Sequence, residues 1–582
     1  MKRSFNLYFI ISLVIILIQS CVQVKPKDGS YSFEIFSTND IHGRYFDSLY
    51  LVGDNGVQTH RYSLASISTV INDARASLGE ENVILLDMGD HIQGDNAPFY
   101  YSFVDTLSQH IYSRVANYMK YDAVVVGNHD IEVGHSVYDR VSKELDMPYL
   151  AANAIRDDNG KPYFEPYTIV ERQGVKVAVI GFTNPNVPSW LAPELWSGMH
   201  FQDIVSSLNQ WIAHIDKVEN PHIKIVALHS GLGDEDVDDI ENVARYVAKH
   251  VDGIDVVFAS HDHRVAVEEY SNNGKNVWLL EGGSRASNLS KASVNFNIKD
   301  GVLHDLVIRG ETLPMEGIGA DAEYISTFRD AFVAVKEFTN TEVGILEDDI
   351  DSRDAYFGPS AYVDMIHSLQ LKATNADVSF AAPLSFNKFV AKGSLNYQDL
   401  MDIYPFENQL NVIELSGKEI KDYLEYSYSH WVNKDPQGRG HILDINDTPG
   451  ASFRLHTPHF NFDSAAGIIY EVDITKPANE RVSIISMANG DGFNMDNKYK
   501  VALTSYRASG GGDLLTEGAG IAKDQLQSRI VARLSDIREI LYNQLQQEGT
   551  LKANRLNQWK FAPIDLAFTL SHNDRVLLFG EK

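Results

Sequence analysis

Five apolar runs in the first half of the chain each end in side chains suited to holding a cation. The run 33–37 leads to Asp40-Ile41-His42, 83–86 to Asp87-Met88-Gly89-Asp90-His91, and 124–126 to Gly127-Asn128-His129-Asp130. The run 225–228 leads to His229, and 256–259 to Ser260-His261-Asp262-His263. Imidazoles from His42, His229, His261 and His263, carboxylates from Asp40 and Asp90, and the Asn128 amide together make seven nitrogen and oxygen donors. That mixture suits borderline divalent ions such as Zn²⁺ or Mn²⁺. Seven donors exceed the four of a single zinc; they match two ions roughly 3.5–4 Å apart if one carboxylate bridges, and Asp90 is the candidate bridge. Singly the signals are weak. An Asp-x-His pair is usually incidental, His229 alone reads equally well as a core histidine, and Asp87 and His91 read as turn formers and stay outside the set. Consecutive polar groups at the end of a buried strand, as at 127–130, are costly unless bound to something.

The elements that must bring these groups together are short buried strands alternating with amphipathic helical stretches from Tyr31 to about Ile318, an α/β layered pattern. Carboxyl ends of parallel strands share an edge, and ligand sites lie in the crevice beyond it. Tyr324, Phe328 and Phe332 recur at helical spacing, which predicts a linker helix within 319–346. A second domain over 347–563 mixes strands such as 410–415 with helices such as 418–426. Its last helix is expected to carry Leu526, Ile530, Leu534, Ile537 and Leu541 on one face. Residues 564–582 carry an apolar run at 576–579 to which the sequence assigns no role.

The chain has 582 residues, 44% hydrophobic, with 79 acidic against 50 basic side chains and a net charge of −29. So acidic a surface repels phosphate backbones and argues against a nucleic-acid polymer as partner. Small phosphorylated ligands remain compatible, because bound cations reverse the local field. One cysteine excludes internal disulfides and cysteine-rich zinc modules. Residues 1–20 read as a secretory signal, with Lys2 and Arg3 before an apolar stretch at 7–18. Cys21 follows in a sequence resembling a bacterial lipobox, which predicts acylation, a tether over 21–31 and anchoring in the cell envelope, periplasmic or surface-facing.

The donor set, taken in order, resembles the calcineurin-like metallophosphoesterases. The second half resembles the C-terminal domain of the 5′-nucleotidase family, through Tyr404-Pro405-Phe406-Glu407-Asn408, the stretch 414–419, and Tyr506-Arg507-Ala508-Ser509-Gly510-Gly511-Gly512-Asp513. The resemblance implies a four-layer β-sandwich flanked by helices over 32–318, a linker helix, and an α+β substrate domain. It implies one ion on Asp40, His42, Asp90 and His263, a second on Asp90, Asn128, His229 and His261, and attack of a bridging hydroxide on phosphorus. It further implies that His129, oriented by Asp130, stabilises the transition state or protonates the leaving group. Tyr506 and either Phe460 or Phe462 would stack on a nucleobase, and movement of the two domains about the linker would follow. The region 380–386 lacks the phosphate-binding arginine usual in 5′-nucleotidases. With 229–232, 467–473 and 505–511, it is more similar to the 2′,3′-cyclic-nucleotide 2′-phosphodiesterase/3′-nucleotidase branch. The alternative is a 5′-nucleotidase or broad nucleotide and UDP-sugar hydrolase. A non-catalytic nucleoside-binding lipoprotein is a third reading, against which the complete donor set argues. No protein partner is implied.

Overall fold

A computed structural model describes residues 26–53, 56–59, 62–406, 408–446 and 454–581, with backbone alone at 49–53 and 56–59. Residues 1–20 and Cys21, on which the export and anchor expectations rest, lie outside the described residues. The chain divides into two units. One holds the residues up to Ser48, Thr59–Asn186 and Trp196–Arg329; the other holds Leu49–Gln58, Val187–Leu195 and Asp330–Lys582.

In chain order the main strands of the first unit are β1 (Gly29–Thr38), β2 (Val83–Asp87), β3 (Ala123–Val125), β4 (Tyr149–Leu150), β5 (Tyr167–Arg172) and β6 (Val175–Phe182). They continue with β7 (Ile223–Leu228), β8 (Val256–Phe258), β9 (Val265–Asn272), β10 (Lys275–Gly282), β11 (Asn288–Lys299) and β12 (Val302–Pro314). Two six-stranded sheets result, ordered β12-β11-β1-β2-β3-β4 and β9-β10-β8-β7-β6-β5. Strands β1 to β4 run parallel, with Ile35 opposite Ile84 and Leu86 opposite Ala123. So do β6, β7, β8 and β10, with Ile225 opposite both Val179 and Val256.

The sheets pack face to face through one apolar cluster that includes Ile35, Ile84, Leu86, Val125, Val179, Ile225, Phe258 and Leu280. On its outer face the second sheet buries Ile180, Val226 and Val257 against Leu208 and Val247 of the helices Ile204–Val218 and Ala244–His250. Covered on both faces, the parallel strands read as continuous apolar runs instead of alternating ones, which is why they were visible in the sequence.

The second unit is built on a five-stranded mixed sheet whose order is Ser464–Ala466, Val378–Ala381, Lys498–Thr504, Gln409–Ser416, Ile530–Asp536. A capping box starts its helix Gly417–Trp431. The Ser416 hydroxyl accepts from the Glu419 N–H at 3.2 Å, and the Glu419 carboxylate accepts from the Ser416 N–H at 2.7 Å.

Three expectations are corrected here. The proposed helical face from Leu526 to Leu541 is broken: Ile530–Asp536 is a strand antiparallel to Gln409–Ser416, and a helix begins only at Ile537. Ile530 and Val531 are β-branched, and Asp536 caps the later helix by accepting from the Arg538 N–H, so the apolar spacing across the stretch misled. The linker is two helices, Ala322–Thr327 and Arg329–Thr339, parted at Phe328. Tyr324 and Phe328 both set their rings against Tyr118, at 5.8 and 5.3 Å. Glu342–Leu346, expected within the linker, is a strand paired with Gly393–Asn396 and Thr550–Leu551.

The C-terminal segment has a structural role. Helix Ile564–Phe579 buries Ala567 and Leu570 in the second unit's core, and its Asp574 accepts the Ile442 and Leu443 N–H groups, each at 2.9 Å. No helix among the described residues is long and apolar enough to cross a membrane.

Candidate metal centre and aromatic surface

The donors leave the carboxyl ends of β1, β2, β3, β7 and β8, so both sheets contribute to one cluster. Five of the seven sit in left-handed backbone: Asp40, His42, Asp90, His261 and His263, with φ of 44°, 47°, 58°, 94° and 60°. Such conformations are disfavoured for side-chain-bearing residues and persist only when the surroundings hold them. Here the loops hold one another. The His42 N–H donates to the Asp90 carbonyl at 2.9 Å, the Arg285 N–H to the Asp40 carbonyl at 2.8 Å, and the His261 N–H to the Asp40 carboxylate at 3.1 Å. Gly127 is required by close approach: a Cβ there would lie 2.1 Å from Asp90 Oδ1 and 2.4 Å from the Asp90 nitrogen.

Inside the cluster, atoms with lone pairs face one another. His229 Nδ1–H donates to the Met88 carbonyl at 2.7 Å, which leaves Nε2 directed at Asp90 Oδ2 (3.2 Å) and Asn128 Oδ1 (2.9 Å). His261 Nδ1 lies 2.9 Å from the same Asn128 oxygen. Across the cluster His42 Nε2 and His263 Nε2 are 3.1 Å apart, while His42 Nδ1 is engaged by Gln93 Oε1 at 2.9 Å. Asp40, His42 and His263 form one group whose ligand atoms lie within 4.8 Å of one another; Asp40, Asp90 and His229 form another. Asp40 belongs to both groups, and Asp90 to the second.

Burial and the mutual fields of the donors set their protonation. Burial, reinforced by the charge of Asp90, pushes the Asp40 carboxyl up to about 8 against the opposing field of His229. Burial holds His42 well below the usual imidazole range and takes His263 down to about 4. Burial alone would lower His229 too, but Asp90 overrides it and raises it to about 9; His229 and His129 in turn keep Asp90 well below the carboxylate range despite its burial. A divalent cation would relieve the carboxylate repulsion and use the unprotonated imidazoles, so the residues present fit the group.

Around this cluster the structure redistributes two roles. His129 donates its N–H to Asp90 Oδ1 at 2.9 Å, and its ring lies 5.5 Å from that of His42. Its Nδ1, however, bonds Glu132 Oε2 at 2.5 Å. Asp130, expected to orient it, is fully buried with its carboxylate turned to main chain. Oδ2 accepts from Gly127 (2.8 Å) and Asp90 (3.0 Å), and Oδ1 accepts from His91 and Ile92, both at 3.0 Å. Glu132 stands three residues after His129 on the helix Asn128–Glu132, a spacing that puts the two on one face. That signal was available in the sequence. Asp87 and His91, set aside there, pair at 2.6 Å beneath the loop, and Thr38 donates to the same carboxylate. Gln93 and Glu241, which touch His42 and His261, carried no local signal.

In the second unit, Tyr506 is 42% exposed, with the Arg507 guanidinium 5.0 Å from its ring centroid. Arg507 is itself buried against Asp463 at 2.7 Å and donates to the Phe460 carbonyl, Asn461 Oδ1 and the Gly511 carbonyl. It therefore ties the 460–463 loop to the glycine-rich turn. Phe460 is partly buried near the exposed Phe406, at 6.1 Å. Phe462, the other candidate platform, is excluded: it is fully buried and stacks on Trp431 at 5.1 Å and 9°.

Comparison with known proteins agrees with this architecture. The family model for calcineurin-like phosphoesterase matches residues 33–265, and that for the 5′-nucleotidase C-terminal domain matches 337–517. Over 91% of its length the chain is 26% identical to the trifunctional nucleotide phosphoesterase protein YfkN of Bacillus subtilis, of which it spans 39%. It is 23% identical to the 2′,3′-cyclic-nucleotide 2′-phosphodiesterase/3′-nucleotidase of Salmonella typhimurium, covering 97% of this chain and 95% of that one. Among solved structures, the NAD nucleotidase NadN of Haemophilus influenzae shares the fold with TM-score 0.58 at 17% identity, over 91% of this chain and 99% of that one. A Staphylococcus aureus protein solved with alpha-ketoglutarate reaches TM-score 0.71 at 21% identity, over 92% and 100%.

Proposed function

Because the chain belongs to the calcineurin-like phosphoesterases that carry a 5′-nucleotidase C-terminal domain, we propose that it is a divalent-metal-dependent nucleotide phosphohydrolase. Its substrates on this reading are 2′,3′-cyclic nucleotides and 3′-nucleotides. The observation that carries the reading is the convergence of Asp40, His42, Asp90, Asn128, His229, His261 and His263, lone pairs inward, beside a histidine fixed by Glu132. Asp40, His42, Asp90 and His263 would hold one ion, and Asp90, Asn128, His229 and His261 a second. When bound, such ions supply an activated water and offset the charge that develops on phosphate oxygens.

The remaining work falls to side chains. With Nδ1 held by Glu132, His129 exchanges protons with substrate through Nε2, giving one to the leaving ribose oxygen as its bond to phosphorus breaks. Asp130 accepts three N–H bonds from Asp90–Ile92 and one from Gly127, and so keeps Asp90 in place. Tyr506 and Phe460 are the proposed nucleobase platform, since aromatic faces stack on any base. Absence of an arginine from 380–386 favours the cyclic and 3′-nucleotide substrates over 5′-nucleotides. The N-terminal signal and Cys21 support export with lipid anchoring in a bacterial envelope.

The test gives protein starting after Cys21, with Mn²⁺ or Zn²⁺ added, 2′,3′-cyclic AMP, 3′-AMP and 5′-AMP in parallel. Conversion of the cyclic diester to 3′-AMP and then to adenosine is the expected outcome. Phosphate from 5′-AMP alone would transfer the assignment to the 5′-nucleotidases.

A further inference from the structure

A second constellation lies behind the donor cluster and takes no part in the chemistry above. Glu241, on the loop between β7 and the helix Ala244–His250, places Oε1 at 3.3 Å from His261 Nε2. Its other carboxylate oxygen accepts from Asn186 Nδ2 at 3.3 Å. Its main-chain carbonyl accepts from Asn184 Nδ2 at 3.0 Å and from the Ser230 hydroxyl at 2.7 Å. Ser230 in turn accepts the Val243 N–H at 3.1 Å, and Asn184 accepts the Asn186 N–H at 3.0 Å. Asn184, Asn186 and Ser230 are all buried. Three buried polar side chains from two loops are thus spent on fixing one loop residue whose carboxylate faces an imidazole of the cluster.

An ionised carboxylate only accepts hydrogen bonds, so the His261 nitrogen that faces it carries the proton. That leaves the lone pair on Nδ1, the nitrogen 2.9 Å from Asn128 Oδ1. His229 reaches the mirror arrangement without a carboxylate: Nδ1–H donates to the Met88 carbonyl and Nε2 faces inward. The two imidazoles therefore present opposite nitrogens to the same amide oxygen, and each is set by a different acceptor. The Met88 main-chain carbonyl holds His229 Nδ1, with the Ser260 hydroxyl also 3.0 Å from that nitrogen. At His261 the nitrogen on the far side from Asn128 faces a side chain, the Glu241 carboxylate. The φ of His261, 94°, is also the largest among the donors.

We propose that Glu241 is a positioning residue that fixes the tautomer and ring orientation of His261, and thereby sets the affinity of the ion shared by His261, His229 and Asn128 while leaving the ion at His42 and His263 unchanged. The proposal rests on the reading that these donors hold divalent ions. Acceptors of this kind typically account for roughly 10–100-fold in metal affinity.

The test measures metal content against a graded chelator for wild type, Glu241→Ala, Glu241→Gln and Asn186→Ala, by elemental analysis of the full-length protein after Cys21. Wild type should release its two ions in the order their affinities dictate. Glu241→Ala should release one ion at about 10–100-fold lower chelator and keep the other on the wild-type curve. Glu241→Gln, whose amide oxygen still accepts from Nε2, should recover most of that loss, and Asn186→Ala should shift the same ion less. Unchanged melting of the metal-free variants separates this effect from misfolding. Identical release curves for wild type and Glu241→Ala would overturn the inference alone. A wild type that takes up no ion would overturn the metal reading and the inference with it, and equal weakening of both ions would show that Glu241 acts on the fold and not on His261.

Discussion

Glu132 and Asp130 stand two residues apart, yet the structure assigns them different work, and removing each should leave a different signature. Glu132→Ala deletes the 2.5 Å bond to His129 Nδ1, a charge-assisted contact in the class worth about 1.5–3 kcal/mol. Its loss removes the carboxylate that holds Nδ1 and leaves the main-chain bond from His129 to Asp90 in place. An unheld general acid forfeits much of the roughly 10²–10⁴-fold such groups provide. A ~10²-fold fall in kcat, about 2.7 kcal/mol of barrier, is expected where the leaving group needs a proton. Asp130→Ala removes the acceptor for four buried N–H groups, each costing about 1–3 kcal/mol when left unpaired. The loop carrying Asp90 should then open and the ions be lost.

The assay compares p-nitrophenyl phosphate, whose phenolate departs without a proton, with 3′-AMP, whose ribose oxygen requires one, and measures metal content in each variant. Glu132→Ala should keep its ions, keep most of the nitrophenyl activity and lose the nucleotide activity. Asp130→Ala should lose ions and both activities together. If Glu132→Ala slows both esters equally with its ions in place, His129 is not acting on the leaving group, and the reasoning fails. If Asp130→Ala retains its ions, the four N–H bonds do not hold the loop.

Three further outcomes follow from the geometry. Gly127→Ala should abolish metal uptake without altering any charge, because its Cβ would meet Asp90 Oδ1 at 2.1 Å; normal metal content in that variant would show that the loops yield where the packing says they cannot. Phe460→Ala should raise KM for nucleotides by the ~1–3 kcal/mol of one base stack with little change in melting, whereas Phe462→Ala should cost about 3–5 kcal/mol of stability and leave KM alone; the reverse pattern would restore Phe462 as the platform. His110 and His367 are both buried and pushed down to about 3 by that burial. Their neutral forms stabilise the fold fully above the unfolded imidazole value of 6.5, and the contribution declines as pH falls from there towards 3, by about 2 kcal/mol each at pH 5. Denaturant midpoints at pH 7 and pH 5 should differ accordingly, and by less in His367→Gln; an equal difference in that variant would refute the assignment.

What could be read from the sequence was what the chain encodes locally. The parallel strands announce themselves because both faces are buried, so 83–86 and 225–228 contain no polar residue. The donors announce themselves because each follows its strand within a few residues. The misreadings all concern competition between a local pattern and a distant partner. Leu526, Ile530, Leu534, Ile537 and Leu541 satisfy a helical spacing, but pairing with Gln409–Ser416 claims the middle of the stretch for a sheet. Tyr324, Phe328 and Phe332 look like one helix face, yet the first two serve a contact with Tyr118, some two hundred residues earlier in the chain. Phe460 and Phe462 alternate identically in sequence, and only Trp431 decides which is core. Glu241 had no signal at all, because its meaning depends on Asn184, Asn186, Ser230 and His261 arriving from three loops.

The same distinction explains how the centre is stabilised. Isolated, each donor loop is unfavourable: left-handed backbone at five donors, two buried carboxylates, and imidazoles that burial forbids to protonate. None of this is compensated within a loop. Compensation comes from bonds between loops, His42 to the Asp90 carbonyl, Arg285 to the Asp40 carbonyl, His261 to the Asp40 carboxylate, and from Asp130 across Gly127 to Ile92. The loops can be strained together but not one at a time, and the sheets beneath them, packed through one apolar cluster, supply the rigidity that sustains this. A divalent ion held there would displace the proton that burial and the charge of Asp90 favour on Asp40, and the one that the attraction of Asp90 favours on His229.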